Sequence, residues 1–144
     1  MDIHSSLSFR LHTLVYTLDA IADRVITQSS SINFSQFLTL LCVYQNPNTT
    51  QKFVAGWLRV TEATVSYTIQ KLSDAKLISV SKSTFDTRKN TVTLTPEGVT
   101  LVESLYAKLE ESSKHLFSVL PKGRLAQLDT DVEKLVNTLN NKVS

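Results

Sequence analysis

Polar side chains that donate hydrogen bonds are concentrated between residues 61 and 71 of the 144-residue chain. Hydroxyl, phenol, amide and ammonium groups can each bind a phosphate oxygen or the edge of a base. The segment contains Thr61, Thr64, Ser66, Tyr67, Gln70 and Lys71. Its hydroxyl residues fall in the first turn of a predicted helix, where unpaired backbone N–H groups favour an anion. Contact with a nucleic acid is the chemistry that this segment indicates.

A second polar segment follows at residues 82–90, and it is rich in charge. It contains Lys82, Asp86, Arg88 and Lys89. Residues 50–98 as a whole carry seven basic and four acidic residues, a net charge of +3, whereas the rest of the chain carries −1. Hydroxyl residues at a helix start are also ordinary caps, and surface charges are commonly only solvated. The combination of the two segments, and not any single residue, favours nucleic-acid binding.

Catalytic and metal-binding motifs do not appear in the sequence. His4, His12 and His115 are far apart, and no cysteine or carboxylate completes a ligand set with them at a recognisable spacing. The sequence also contains no P-loop, glycine-rich dinucleotide turn or nucleophile elbow. We therefore expect no enzymatic activity, no cofactor and no metal.

Helices must position the polar residues, because apolar side chains recur at steps of three and four along most of the chain. The spacing predicts helices over residues 7–27, over a segment capped by Asn33 or Ser35, over a short segment capped by Thr49 or Thr50, and from Thr61 to near Ala75. A fifth helix opens at Thr95-Pro96-Glu97 and is broken by Pro121 and Gly123, and a sixth continues through Leu139. Alternation with period two predicts strands at Leu77–Ser81 and Thr91–Leu94, hence a hairpin with a basic tip.

The third and fourth predicted helices have the features of a helix-turn-helix. Small Ala55 suits the point where two helices cross closely. Val65, Ile69 and Leu72 form one apolar face of the fourth helix, so that the polar set faces outward. In this motif the second helix enters the major groove of DNA.

Composition places the chain among cytoplasmic globular proteins. Hydrophobic residues make up 42% of it, enough for a packed core. Cys42 is the single cysteine, so an internal disulfide is excluded. We see no secretory signal and no apolar run near the roughly 20 residues that span a bilayer, and we expect no membrane association.

An ordered set of short motifs resembles the MarR family of bacterial regulators. The motifs are Leu58-Arg59-Val60-Thr61-Glu62-Ala63-Thr64-Val65-Ser66, Lys71-Leu72, Leu77-Ile78, Asp86-Thr87-Arg88 and Leu94-Thr95-Pro96-Glu97-Gly98. The resemblance implies a mainly α-helical winged helix-turn-helix fold of about six helices with a two-stranded β-wing. It divides the chain into an N-terminal dimerisation helix (1–32), a DNA-binding domain (33–98) and C-terminal dimerisation helices (99–144).

The resemblance also implies a function and roles for matching residues. The chain would be a homodimeric regulator of transcription, a repressor, that recognises a pseudo-palindromic operator in double-stranded DNA. Arg88 would enter the minor groove with Asp86 as its partner, and Lys82 and Lys89 would bind phosphates. One departure is Lys76, because the family usually has glycine there. Lysine must accept a strained positive φ or end the preceding helix differently.

The family often binds a small aromatic or anionic effector between its dimerisation helices and its DNA-binding lobe. The candidates here are His12, Tyr16, Tyr44 and Trp57, although aromatic residues at helical spacing are commonly core. Two alternatives stay open: a winged-helix module that binds protein instead of DNA, and a thiol-based redox regulator that uses Cys42. Cys42 has no cationic neighbour in the sequence, and a buried thiol there would be inert.

Overall fold

The computed structural model describes residues 6–82 and 90–143, and side chains as far as residue 139. The described part is mainly helical, as the sequence predicts. Its elements are α1 (Leu7–Ser29), α2 (Phe34–Gln45), β1 (Thr49–Thr50), α3 (Gln51–Leu58), α4 (Glu62–Asp74), β2 (Ile78–Lys82), β3 (Asn90–Leu94), α5 (Pro96–Phe117) and α6 (Arg124–Val143). The fifth helix therefore ends at Phe117, four residues before the predicted break at Pro121.

Polar caps set where the helices begin. Asn33, and not Ser35, caps α2, and it forms a reciprocal capping box with Gln36. The hydroxyl of Thr50, and not that of Thr49, accepts a hydrogen bond from the Phe53 N–H at the start of α3. Each cap satisfies an N–H group that has no partner within its own helix.

The sheet has three antiparallel strands in the order β1-β3-β2, one more than the two-stranded wing that was expected. Val92 in β3 pairs with Val80 on one side and with Thr49 on the other. The prediction missed β1 because two residues are too short to show an alternation. Thr49–Thr50 therefore ties the start of α3 to the wing.

The core lies where α2, α3, α4 and the sheet meet. Its largest buried side chains include Phe37, Leu40, Val54, Ile69, Leu72 and Leu105. Ile78 and Val92 bury the inner face of the hairpin, with 2% and 0% of their surfaces exposed. The hairpin is thus held by the helices, as an isolated two-stranded hairpin in water would have to be.

One contact ties α1 to the winged domain and was not foreseen. The Asp23 carboxylate in α1 accepts a hydrogen bond from the Phe34 N–H, 2.9 Å away, at the first residue of α2. A carboxylate at a helix N-terminus is favoured by the helix dipole as well as by the hydrogen bond. The signal is hidden in the sequence because the two residues lie on different helices.

The chain divides into two compact units, Met1–Lys108 and Leu109–Ser144. The second unit contains the end of α5 and the whole of α6. Six apolar side chains of α6 are 39–64% exposed: Leu125, Leu128, Val132, Leu135, Val136 and Leu139. Within the described residues, every helix is too short or too polar to span a bilayer.

Candidate nucleic-acid interface

Helices α3 and α4 form the predicted helix-turn-helix. Ala55 is 4% exposed, as expected for the small residue where the two helices meet. Val65, Ile69 and Leu72 are buried on the inner face of α4. The polar set from Thr61 to Lys71 is therefore left on the outer face, and all of its members are exposed.

The first turn of α4 is stabilised by its own hydroxyl groups. Thr61 accepts a hydrogen bond from the Thr64 N–H at 3.2 Å, and the two threonine hydroxyl oxygens lie 2.8 Å apart. Thr61 therefore caps α4, whether or not it also contacts DNA. The Ser66 hydroxyl has no hydrogen-bond partner among the described residues and the residue is exposed, so the hydroxyl is available to a ligand.

The middle of the outer face carries a preformed pair. The Lys71 ammonium nitrogen lies 5.0 Å from the centre of the Tyr67 ring, within the range of a cation–π interaction. Tyr67 is 64% exposed. The ring limits the positions that the ammonium group samples, and the phenol hydroxyl remains open as a second donor.

Gln70 is also held in place. Its side-chain nitrogen donates a hydrogen bond to the Asp74 carboxylate at 2.8 Å. The amide oxygen and the second N–H stay free, and together they match the pattern of an adenine edge in the major groove. The i, i+4 spacing favours such a pair, although Asp74 was not among the predicted site residues.

Lys82 ends β2 opposite Asn90, at the end of the hairpin nearest residues 83–89. Its exposed position agrees with a phosphate contact. Asp86, Arg88 and Lys89 lie outside the described residues, and their expected roles stay predictions.

The other end of the hairpin is fixed against the start of α5. The Thr95 hydroxyl donates to the Lys76 carbonyl at 2.7 Å and accepts from the Gly98 N–H at 3.0 Å. The Thr95 N–H donates to the Leu77 carbonyl at 3.1 Å. These bonds explain the Leu-Thr-Pro-Glu-Gly motif, because Thr95 links the end of α4, the hairpin and α5.

One of the four effector candidates, Tyr44, lines a cavity in the described part of the chain. The cavity has a volume of about 170 Å³ and lies between α2 and α5, and His12, Tyr16 and Trp57 are not part of its lining. The Tyr44 hydroxyl donates to the Glu103 carboxylate at 2.9 Å. This hydrogen bond and the negative charge of Glu103 raise the pKa of Tyr44 above its usual range.

Cys42 is buried, with 0% of its surface exposed, and burial raises the pKa of its thiol. Both features disfavour the thiolate that a redox sensor needs. Among the described residues, no group of three or more His, Cys, Asp and Glu side chains is placed to hold a metal ion.

A known protein family and several solved structures match the chain that carries this helix-turn-helix and sheet. The MarR family model matches residues 32–89. The structure of MepR from S. aureus bound to DNA is 26% identical, with a TM-score of 0.77, and the match covers 96% of this chain and 99% of MepR. BpsR from Bordetella bronchiseptica, whose DNA binding is regulated by 6-hydroxynicotinic acid, is 25% identical with a TM-score of 0.79, over 94% of this chain and 96% of BpsR.

The E. coli MarR structure has a TM-score of 0.82 at 18% identity, over 90% of this chain and 96% of MarR, and it supports the fold alone. No curated protein matches the chain.

Proposed function

We propose that this chain, which belongs to the MarR family through its residues 32–89, is a regulator of transcription that binds double-stranded DNA. Helix α4 enters the major groove, and the wing lies along the neighbouring minor groove. The protein acts in the cytoplasm, where a bacterial chromosome is accessible to it.

The observation that carries this proposal is the division of α4 into two faces. Three apolar residues are buried on one face, while the opposite face presents exposed hydroxyl, phenol, amide and ammonium groups. These are the groups that bind phosphate oxygens and base edges, and they lie side by side on the second helix of a helix-turn-helix. The solved complex of MepR with DNA, at 26% identity over nearly the whole chain, supports the same interpretation.

The protein binds as a homodimer to a pseudo-palindromic operator. Helix α6 has a face of exposed apolar side chains, and α1 has a face of its own with exposed Leu7, Leu11 and Leu14. Exposed apolar faces of this kind commonly mark an interface with another protein chain. A second copy of this chain covers them. A two-fold dimer presents two α4 helices to successive turns of one DNA face. By occupying such a site at a promoter, the dimer acts as a repressor.

A small aromatic or anionic effector releases the protein from DNA. The support is BpsR, whose DNA binding is regulated by 6-hydroxynicotinic acid. The cavity beside Tyr44, about 170 Å³, is smaller than the roughly 300 Å³ at which ordinary ligand pockets begin. Within one chain, this cavity alone does not account for an effector site.

Anisotropy titration of the full chain against a labelled mixed-sequence duplex, at low and at moderate salt, tests DNA binding. We expect affinity that falls steeply with salt, because cations on the protein displace counterions from the DNA. Lys71→Gln should weaken binding and make the salt dependence shallower by about one unit for each phosphate that the variant no longer neutralises. Lys122→Gln removes the same charge from the turn between α5 and α6 and serves as the matched control.

The rival function is a winged helix that binds protein through this face. It predicts no binding to the duplex at low salt and identical results for the two lysine variants. That outcome would remove the proposal of DNA binding.

A further inference from the structure

Three residues other than glycine adopt the left-handed backbone conformation in the described part of the chain. They are Asn48, with φ of 60°, Arg59, with φ of 56°, and Lys76, with φ of 59°. A β-carbon crowds the following carbonyl in this conformation, so that glycine fits it best and asparagine fits it better than most residues. Arg59 and Lys76 are therefore the two positions at which the residue type opposes the backbone.

Arg59 and Lys76 close their helices with the same hydrogen bonds. At the end of α3, the Arg59 N–H donates to the Gly56 carbonyl at 3.3 Å and the Val60 N–H donates to the Ala55 carbonyl at 3.0 Å. At the end of α4, the Lys76 N–H donates to Ser73 and the Leu77 N–H to Leu72, both at 2.9 Å. This Schellman motif requires the left-handed backbone but no side chain.

Packing and backbone geometry do not account for a cationic side chain at either position. Only one effect favours a cation at both. A cation near the C-terminus of a helix interacts favourably with the helix dipole. Neither side chain has a hydrogen-bond or ion-pair partner within the described residues, and both are exposed. The two positions are thus alike in backbone, charge and exposure, and they differ in where they lie.

Their positions relative to α4 are opposite. Arg59 comes two residues before Thr61, the cap of α4. Lys76 follows the other end of this 13-residue helix, roughly 20 Å away. Lys76 also lies beside the Ile78–Leu94 end of the hairpin, away from residues 83–89. In a helix-turn-helix the N-terminal residues of the second helix approach the bases, so the turn before it passes close to the phosphates at the groove edge.

We propose that Arg59 binds a backbone phosphate of DNA beside the N-terminus of α4, a contact that glycine at this position could not make. This inference rests on the proposed function, because it assigns one more contact to the same DNA-binding surface. The guanidinium group can donate two parallel hydrogen bonds to phosphate oxygens. The free side chain in the unbound protein is poised for this contact.

The test compares matched substitutions at the left-handed positions in the full chain. Arg59→Gly, Lys76→Gly and Asn48→Gly should each keep or raise the melting temperature, by up to about 3 °C, because glycine relieves the left-handed strain. Only Arg59→Gly should weaken binding to a mixed-sequence duplex, by about tenfold at moderate salt. The salt slope should become shallower by about 0.9 for one phosphate in each protomer, or about 1.8 for a dimer.

Two further variants guard against a folding artefact. Arg59→Asn tolerates the left-handed backbone without charge and should bind DNA as weakly as Arg59→Gly. Arg59→Lys keeps the charge and should restore most of the salt slope.

An unchanged slope in Arg59→Gly and Arg59→Asn, with the wild type binding normally, would overturn the inference while the proposed function stands. An equal loss in Lys76→Gly would also overturn it, because the effect would then follow charge and not position. Failure of the wild type itself to bind DNA at low salt would overturn the proposed function as well.

Discussion

Gly98 lies so close to the carbonyl oxygen of Leu77 that a β-carbon on residue 98 would overlap that oxygen. The contact joins the first turn of α5 to the residue that precedes β2. It lies beside the hydrogen bonds of Thr95, and together they hold the wing against α5. The glycine in this motif is therefore required for close packing and not for an unusual backbone conformation.

The first prediction is that Gly98→Ala destabilises the protein. Because the neighbouring atoms belong to the backbone, the overlap can be relieved only by moving α5 away from Leu77, at a cost of about 1–3 kcal/mol. Gly56→Ala is the matched control, since a β-carbon at Gly56 in α3 meets no atom within 4 Å. The free energy of unfolding of Gly56→Ala should rise by about 0.5–1 kcal/mol, because alanine has the better helix propensity. Urea denaturation of both variants measures the two effects, and equal effects would contradict the packing described here.

The second prediction concerns Ile69, which is 2% exposed on the inner face of α4. Ile69→Asp would place a carboxylate in the core without a partner and should lower the free energy of unfolding by about 4 kcal/mol or more. Ser66→Asp, on the exposed face of the same helix, should leave the melting temperature nearly unchanged and yet weaken DNA binding. A cooperative melt of Ile69→Asp at the wild-type temperature would reject the assigned inner face.

The division of α4 into inner and outer faces could be predicted from the sequence because it depends only on helical spacing. Val65, Ile69 and Leu72 repeat at steps of four and three, and the structure buries all three. The caps Asn33, Thr50 and Thr61 could be predicted for the same reason, since a capping side chain and the backbone N–H that donates to it lie within one turn. Strand β1 could not be predicted from local spacing, because Thr49–Thr50 pairs with residues about 40 positions later in the chain.

The parts of the site that depend on tertiary contacts were out of reach. The Asp23 cap on Phe34 and the hydrogen bond from Tyr44 to Glu103 each join two different helices. The effector candidates rest on residue type alone, and of the four only Tyr44 lines the cavity between α2 and α5. At Lys76 the sequence showed the conflict between lysine and a left-handed helix end, but it could not show that the backbone adopts that conformation.

The third prediction follows from the raised pKa of Tyr44. The folded protein holds the Tyr44 proton more tightly than the unfolded chain, whose value is about 10.0. The stabilisation from the Tyr44–Glu103 hydrogen bond is therefore fully present below about pH 10 and is lost as the pH rises through the folded pKa. Ultraviolet titration of wild type and Tyr44→Phe should identify one tyrosine that ionises late. Glu103→Gln should lower the pKa of that tyrosine, and an unshifted titration in Glu103→Gln would argue against the bond.

The fourth prediction concerns Arg88 in the segment between β2 and β3. A narrow minor groove has a concentrated negative potential that attracts a guanidinium group. Arg88→Ala should therefore weaken DNA binding and make the salt slope shallower by about one unit per protomer. Arg88→Lys should recover part of the slope but less of the affinity. An unchanged affinity and slope in Arg88→Ala would remove Arg88 from the DNA contacts.

The fifth prediction tests the apolar face of α6. Leu135 is 55% exposed in the single chain, so a charge there costs little unless a second copy covers it. In a dimer, Leu135→Asp would bury two carboxylates without partners, and the protein should sediment as a monomer at concentrations where the wild type is a dimer. Because a monomer presents one α4 helix instead of two, its affinity for an operator should fall by orders of magnitude, while its binding to short non-specific duplexes falls less. Asn137→Asp adds the same charge to the polar face of α6 and should leave the dimer intact. A wild-type chain that sediments as a monomer at all concentrations would contradict the homodimer.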